Sequence, residues 1–193
     1  MTLNKDRNDI FCKENGKLVQ IIIPATTDFS SSLRDIIGAL LENDTKYSSR
    51  WRYRIQLIAE ELINNAVEHG SIKTDDIIID IAIFDNSNIE ILVTNNGNGK
   101  KKIKAKDLIE NIKLNREAML INPSSNKTIR GRGLAMIVLG WSDSFEYIDN
   151  LDGGLTAKIT KKFIPEYTDE NPIPNKLDIF NLHEQIKITT KVF

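Results

Sequence analysis

Apolar residues recur at helical spacing along residues 51–70, where Ile55, Ile58, Leu62 and Ala66 fall on or near one stripe. The stretch contains no proline, and its one glycine comes at the end. An apolar stripe with this period is typical of a helix that packs against a sheet. The pattern therefore predicts a long amphipathic helix as the centre of the fold.

Shorter patterns surround this central helix. Apolar runs that end at turn-forming residues predict strands, and apolar residues three and four apart predict helices. In chain order the sequence predicts a strand at 17–24, a helix with the stripe Leu33, Ile36, Ile37, Leu40 and Leu41, the central helix, a hairpin of strands 77–84 and 89–94, a helix at 105–120, a glycine-led helix at 131–140, and a hairpin of strands 144–149 and 155–163. This order predicts an α+β fold, a two-layer sandwich with a mixed, mostly antiparallel sheet and helices on one face.

The two ends of the chain differ in composition from the middle. Residues 1–16 are polar and are predicted to form a loose arm. The last 30 residues contain three of the five prolines and end in an apolar, strand-like piece at 185–193. We therefore expect a domain at 17–163, followed by an extension at 164–193 that lies over the domain or reaches a neighbour.

Composition narrows the class of protein. The chain has 193 residues, of which 40% are hydrophobic, and a net charge of −1. The length and the hydrophobic fraction suit one domain with a core. The near-zero net charge does not indicate nucleic-acid binding. The single cysteine, Cys12, allows no internal disulfide, and no apolar run approaches the roughly 20 residues of a membrane helix. With no signal-peptide pattern at its start, we expect a soluble, cytoplasmic protein that does not enter membranes.

Candidate chemistry lies on the central helix. Glu61, Asn65 and His69 follow one another at intervals of four residues, which aligns a carboxylate, an amide and an imidazole along one strip. A carboxylate can order a nucleophile, and an amide oxygen is a hard ligand that suits Mg²⁺. Spacing alone favours a solvated strip that ends at a C-capping glycine, Gly70, because most polar strips on helices are only surface.

Two glycine segments follow. Residues 95–99 read NNGNG directly after a predicted strand, and residues 131–134 read GRGL at the start of a predicted helix. Alone, the first is typical of a flexible turn, whereas glycines before a helix expose backbone N–H groups that can bind phosphate. The lysine-rich stretch 100–106 between them has three interpretations: a solvated loop, a lid over phosphates, or a surface that binds an acidic protein. Its lack of aromatic residues disfavours nucleic-acid binding.

The segment ELINNAVEHG at 61–70 resembles the N box of the GHKL ATP-binding superfamily, and is closest to the variant in bacterial anti-sigma-factor serine kinases. NNGNG and GRGL stand where that family has its two glycine boxes. The resemblance implies that Asn65 ligates Mg²⁺ and Glu61 acts on the attacking group. It assigns nucleotide contacts to the following residues: Asn65, Asn95, Gly97, Gly99, Lys100, Arg130, Gly131, Arg132, Gly133 and Leu134.

One position departs from the family pattern. The family's first glycine box begins with an Asp that accepts a hydrogen bond from the adenine amino group, and this chain has Asn95 there. We expect Asn95 to accept through its amide oxygen. Loss of the charge should weaken the bond by on the order of 1–3 kcal/mol.

The resemblance implies a serine/threonine protein kinase of the anti-sigma type that uses ATP, yields ADP and requires Mg²⁺. Its implied partners are a sigma factor and an anti-anti-sigma protein, and a homodimer is also implied. The alternative is a module of the same fold that binds a regulatory protein without catalysis, because Asn95 replaces the Asp. We disfavour a histidine kinase, because no phosphoacceptor-histidine domain precedes the boxes in this sequence.

Overall fold

A computed structural model of the chain describes residues 15–99, 104–121, 134, 138–151, 153–165 and 187–192. Its elements in chain order are β1 (Gly16–Pro24), a 3₁₀ turn (Thr27–Phe29), α1 (Ser30–Asp44), α2 (Ser49–Gly70), β2 (Asp76–Phe84), β3 (Ile89–Thr94), α3 (Ala105–Ile121), a short α4 (Leu139–Trp141), β4 (Ser144–Asp149), β5 (Leu155–Lys161) and β6 (Lys187–Val192). The predicted α+β class, with helices packed against an antiparallel sheet, is confirmed.

The six strands form one sheet in the order β4-β5-β3-β2-β1-β6. Every described pairing is antiparallel, and both predicted hairpins, β2–β3 and β4–β5, are present. The strand-like piece near the C-terminus forms β6, which pairs with β1 in a register that places Lys17 opposite Val192. The end of the chain therefore adds an edge strand to the sheet. The division into an arm, a domain and an extension remains a prediction.

The core lies between the sheet and the helices α1 and α2. Strands contribute every second residue to this face, as period-two geometry requires, and the helices contribute the predicted stripes. Buried residues of this core include Ile21, Ile77, Ile79, Ile81, Ile91 and Val93 from strands, and Leu33, Ile37, Leu41, Ile55, Ile58 and Leu62 from helices. Burial of each such side chain stabilises the fold by about 1.5–3 kcal/mol. This packing fixes the long α2 across the sheet.

Local signals set the ends of α2. The hydroxyl of Ser48 accepts a hydrogen bond from the backbone N–H of Trp51 at 3.3 Å, which caps the first turn. At the other end Gly70 is still helical, and the C-capping residue is Ser71 in an extended conformation. The predicted role of Gly70 as a C-cap is therefore wrong.

Within the described ranges, no helix is both long enough and apolar enough to cross a bilayer.

Candidate functional site

A cavity of about 90 Å³ opens between the C-terminal half of α2, the sheet and the segment 95–99. One water needs roughly 10–15 Å³, so this cavity has room for a larger group. The sequence-predicted residues Asn65, His69, Asn95, Gly97 and Leu134 all line it. The fold thus brings together residues that are up to 69 positions apart in the chain.

Asn65 is held in one orientation by its own helix. Its Nδ2 donates to the backbone carbonyl of Glu61, one turn earlier, at 2.6 Å. A carbonyl only accepts, so the amide nitrogen must face it and the Oδ1 atom faces away. Among the described residues nothing donates to this Oδ1 atom. An amide oxygen is a hard ligand, so Asn65 fits the predicted role of Mg²⁺ ligand.

Glu61 lies half-buried beside Asn65 on α2. Burial raises the pKa of its carboxyl group, and the neighbouring charges of Glu60 and Glu68 raise it further. Glu60 itself turns toward α1, where its carboxylate lies 3.6 Å from the Arg34 guanidinium. A raised pKa makes Glu61 a better proton acceptor than an ordinary surface carboxylate.

His69 is the third residue of the predicted strip, and its side chain is mostly exposed. Its side chain is 69% exposed, and its Nε2 lies 4.0 Å from a Glu68 carboxylate oxygen. Its backbone is more closely engaged, because a Cβ on Gly99 would lie 2.0 Å from the His69 carbonyl oxygen. The close approach requires glycine at position 99 and seats the segment 95–99 on the end of α2.

Asn95 is the most enclosed polar residue of the cavity, with 6% of its surface exposed. Its Oδ1 accepts from the backbone N–H of Gly97 at 3.0 Å and of Leu155 at 3.3 Å. These bonds hold the turn after β3 and tie it to the start of β5. The two lone pairs of the oxygen are thereby used. The expectation that this oxygen is available to an adenine amino group is therefore wrong.

Gly97 has a positive φ of +70°, which L-residues with a side chain rarely adopt. A Cβ at this position would lie 2.1 Å from the carbonyl oxygen of Gly153 in the β4–β5 turn. Glycine is therefore required both by the backbone conformation and by the close approach of the two turns.

Several lining residues were missed by sequence reasoning. The apolar walls include Leu62, Val93, Leu108 and Ala157, which look like ordinary core residues in the sequence. Tyr147 also lines the cavity, and burial raises the pKa of its hydroxyl to about 12. Only tertiary structure reveals that these side chains share one space.

A buried carboxylate supports the turn from outside the cavity. Asp75, which is 8% exposed, accepts from the Ile72 backbone N–H at 2.9 Å and from Asn98 Nδ2 at 2.9 Å. These contacts lower the pKa of Asp75, with the Ile72 bond as the largest cause. The asparagine between the two glycines of NNGNG is thus an anchor for the turn.

The remaining predicted residues divide into two groups. Leu134 is buried and lines the cavity. The predicted phosphate contacts and lid residues Lys100, Arg130, Gly131, Arg132 and Gly133 lie outside the described residues. Their roles remain predictions.

Comparison with known proteins bears on the family and the fold. Residues 23–161, well over half of the chain, match the family described as histidine kinase-like ATPase domain. A search of curated proteins found no significant match. The fold is similar to the crystal structure of the RsbU and RsbW domains of Rv1364c from Mycobacterium tuberculosis, with a TM-score of 0.50 and 18% sequence identity over 75% of this chain. That similarity covers 32% of the other chain, so this chain spans about a third of its length. The predicted membership of the GHKL superfamily is confirmed: the chain belongs to the histidine kinase-like ATPase domain family.

Proposed function

We propose that this protein is a Mg²⁺-dependent, nucleotide-binding protein kinase that phosphorylates a serine or threonine of a partner protein in a partner-switching pathway. The observation that carries the proposal is the arrangement on α2. Asn65 has its Nδ2 held by the helix and its Oδ1 without a partner in the described part of the chain, and the half-buried Glu61 lies beside it. The family and the similarity to a structure with an RsbW domain support the same reading.

Mg²⁺ would be held through Asn65 Oδ1 and would neutralise charge on the phosphates. Mg²⁺ commonly takes only one or two protein ligands and completes its shell with phosphate oxygens and water, so a single amide oxygen fits. Asn65, which is half-buried, would thereby fix the position of the phosphates beside α2. The enclosed apolar walls would take the base.

Glu61 would act on the attacking hydroxyl. The serine or threonine oxygen forms a bond to the terminal phosphorus, the bond from that phosphorus to the bridging oxygen breaks, and the nucleoside diphosphate leaves. Glu61 accepts the hydroxyl proton. The raised pKa of its carboxyl group suits this role, because a general base works best when its pKa approaches the operating pH.

The experiment is transfer of label from a γ-labelled nucleotide, with Mg²⁺, to serine or threonine in proteins of the source cell. Glu61→Gln should retain nucleotide binding and lose transfer by roughly 10²–10⁴-fold, the usual contribution of a general base. Glu60→Gln is the matched control, because that carboxylate faces Arg34 instead, and it should retain transfer. Transfer by Glu61→Gln at the wild-type rate would contradict the assignment.

A second candidate is a binding module that holds a regulatory partner without catalysis. The observation in its favour is Asn95, whose oxygen is engaged by two backbone N–H groups and so offers nothing to an adenine amino group. By resemblance the partners of the kinase are a sigma factor and an anti-anti-sigma protein, and the partner of the module is a regulatory protein. A stable complex with such a partner, combined with no labelled acceptor under any nucleotide, would favour the module.

A further inference from the structure

The Asn95 side chain has a fixed polarity. Its Oδ1 accepts from two backbone N–H groups, those of Gly97 and Leu155. A backbone N–H cannot donate to an NH₂ group, so these two contacts determine which end of the amide is oxygen and which is nitrogen. Nδ2 must therefore occupy the other end of the side chain.

Nδ2 has no acceptor in the described part of the chain, although only 6% of the Asn95 surface is exposed. Asn95 and Gly70 both line the cavity, and a Cβ on Gly70 would lie 2.2 Å from this nitrogen. The Asn95 amide therefore packs against the Gly70 backbone, in the place that a Cβ would take. The enclosed end of the cavity presents a hydrogen-bond donor among apolar walls, and an unsatisfied donor in such a setting favours any ligand that brings an acceptor.

The nucleotide would lie with its base at this end. Charged phosphates would lie near the half-buried Asn65, where a cation can be held, whereas an uncharged flat ring suits the apolar walls near Asn95, which is 6% exposed. The group on the purine that meets Nδ2 then decides the fit. The 6-amino group of adenine is a donor, whereas the 6-oxo group of guanine or hypoxanthine is an acceptor.

We infer that this cavity prefers a 6-oxopurine nucleotide, an inosine or guanosine phosphate, to an adenosine phosphate. The inference rests on the proposed function of the cavity as a nucleotide site. Nδ2 donates to O6 of the bound purine, while Oδ1 keeps its two backbone partners. With the adenine amino group in the same position two donors face each other, and Nδ2 gains no acceptor from position 6 of the base.

The test is calorimetric titration of the full chain with MgIDP and MgADP, which differ in the group at position 6 of the base and in the proton on the adjacent N1. A satisfied hydrogen bond in place of a donor–donor contact should make IDP bind about tenfold or more tightly than ADP. Asn95→Asp replaces Nδ2 with an acceptor oxygen and preserves the acceptor for Gly97 and Leu155. It should reverse the preference in favour of ADP.

Asn86→Asp is the matched control. Asn86 is an exposed residue in the β2–β3 turn whose Oδ1 accepts from the Asn88 backbone N–H at 2.9 Å, so the variant makes the same atomic change in a similar turn at the other end of β2. It should leave the IDP/ADP ratio unchanged. ADP binding as tightly as IDP to the wild type would overturn the inference and leave the nucleotide site standing. No binding of either nucleotide would overturn both.

Discussion

The close contact between the segment 95–99 and the β4–β5 turn predicts that Gly97→Ala destabilises the fold. A Cβ at Gly97 would lie 2.1 Å from the Gly153 carbonyl oxygen and 2.6 Å from its carbon. Favourable contacts between carbon atoms lie at about 3.5–4.0 Å, so the two turns must separate by roughly 1 Å or more. The obstructing atoms belong to the backbone and cannot rotate away.

Two terms contribute to the loss of stability. An alanine at a φ of +70° carries a left-handed penalty of about 1–2 kcal/mol. Overpacking against fixed atoms typically costs a further 1–3 kcal/mol or so. The free energy of unfolding should therefore fall by about 2–5 kcal/mol.

Gly153→Ala separates the two terms. Gly153 also has a positive φ, +91°, but a Cβ there meets nothing within 4 Å. It should show only the backbone penalty of about 1–2 kcal/mol. Urea unfolding of both variants, with linear extrapolation to water, measures the difference. Equal losses from the two variants would refute the close approach of the two turns and, with it, the seating of Asn95 in the cavity.

Three further predictions concern the walls and supports of the cavity. Leu62→Ala, at a core position that is 1% exposed, should lower the free energy of unfolding by about 2–5 kcal/mol in a urea titration, and a loss below about 1 kcal/mol would show that the position is not packed. Glu61→Gln should raise the free energy of unfolding at pH 7, because the raised pKa of Glu61 means that its ionised carboxyl group destabilises the fold. The gain should vanish below the usual pKa of 4.5. A gain that is independent of pH would exclude ionisation as its cause. Asp75→Asn should lower the free energy of unfolding at pH 7, because the lowered pKa of Asp75 reflects a carboxylate that stabilises the fold. The difference from the wild type should disappear as the pH falls below the usual pKa of 3.8. A constant difference in melting curves recorded over a pH series would contradict this prediction.

The main elements could be predicted because their signals are local. The stripe of Ile55, Ile58, Leu62 and Ala66 identifies α2 and the face that it buries, and all four residues lie in the core. The turn sequence at 85–88 likewise predicts the β2–β3 hairpin. Period and turn chemistry are properties of neighbouring residues, so one sequence is enough to recognise them.

The details of the site depend on residues that are distant in sequence. The second donor to the Asn95 oxygen is Leu155, 60 positions away, so no local pattern shows that the oxygen is engaged. Gly70 has the sequence appearance of a C-cap, but a Cβ there would strike the Asn95 amide. The pairing of β6 with β1 also joins opposite ends of the chain. Such contacts follow from tertiary packing and not from propensity.

The most direct test of the account is calorimetric titration of the wild-type protein with ADP and IDP, each with and without Mg²⁺, alongside Asn65→Ala and Asn64→Ala. The two asparagines are adjacent, but Asn64 accepts from the Ser30 hydroxyl at 3.0 Å and faces α1, so it serves as the matched control. We predict Mg²⁺-dependent binding to the wild-type protein. Asn65→Ala should weaken this binding about tenfold or more, because it removes one charge-assisted ligand. Asn64→Ala should bind like the wild type. No heat with either nucleotide at millimolar concentration, or equal binding by the two variants, would contradict the account.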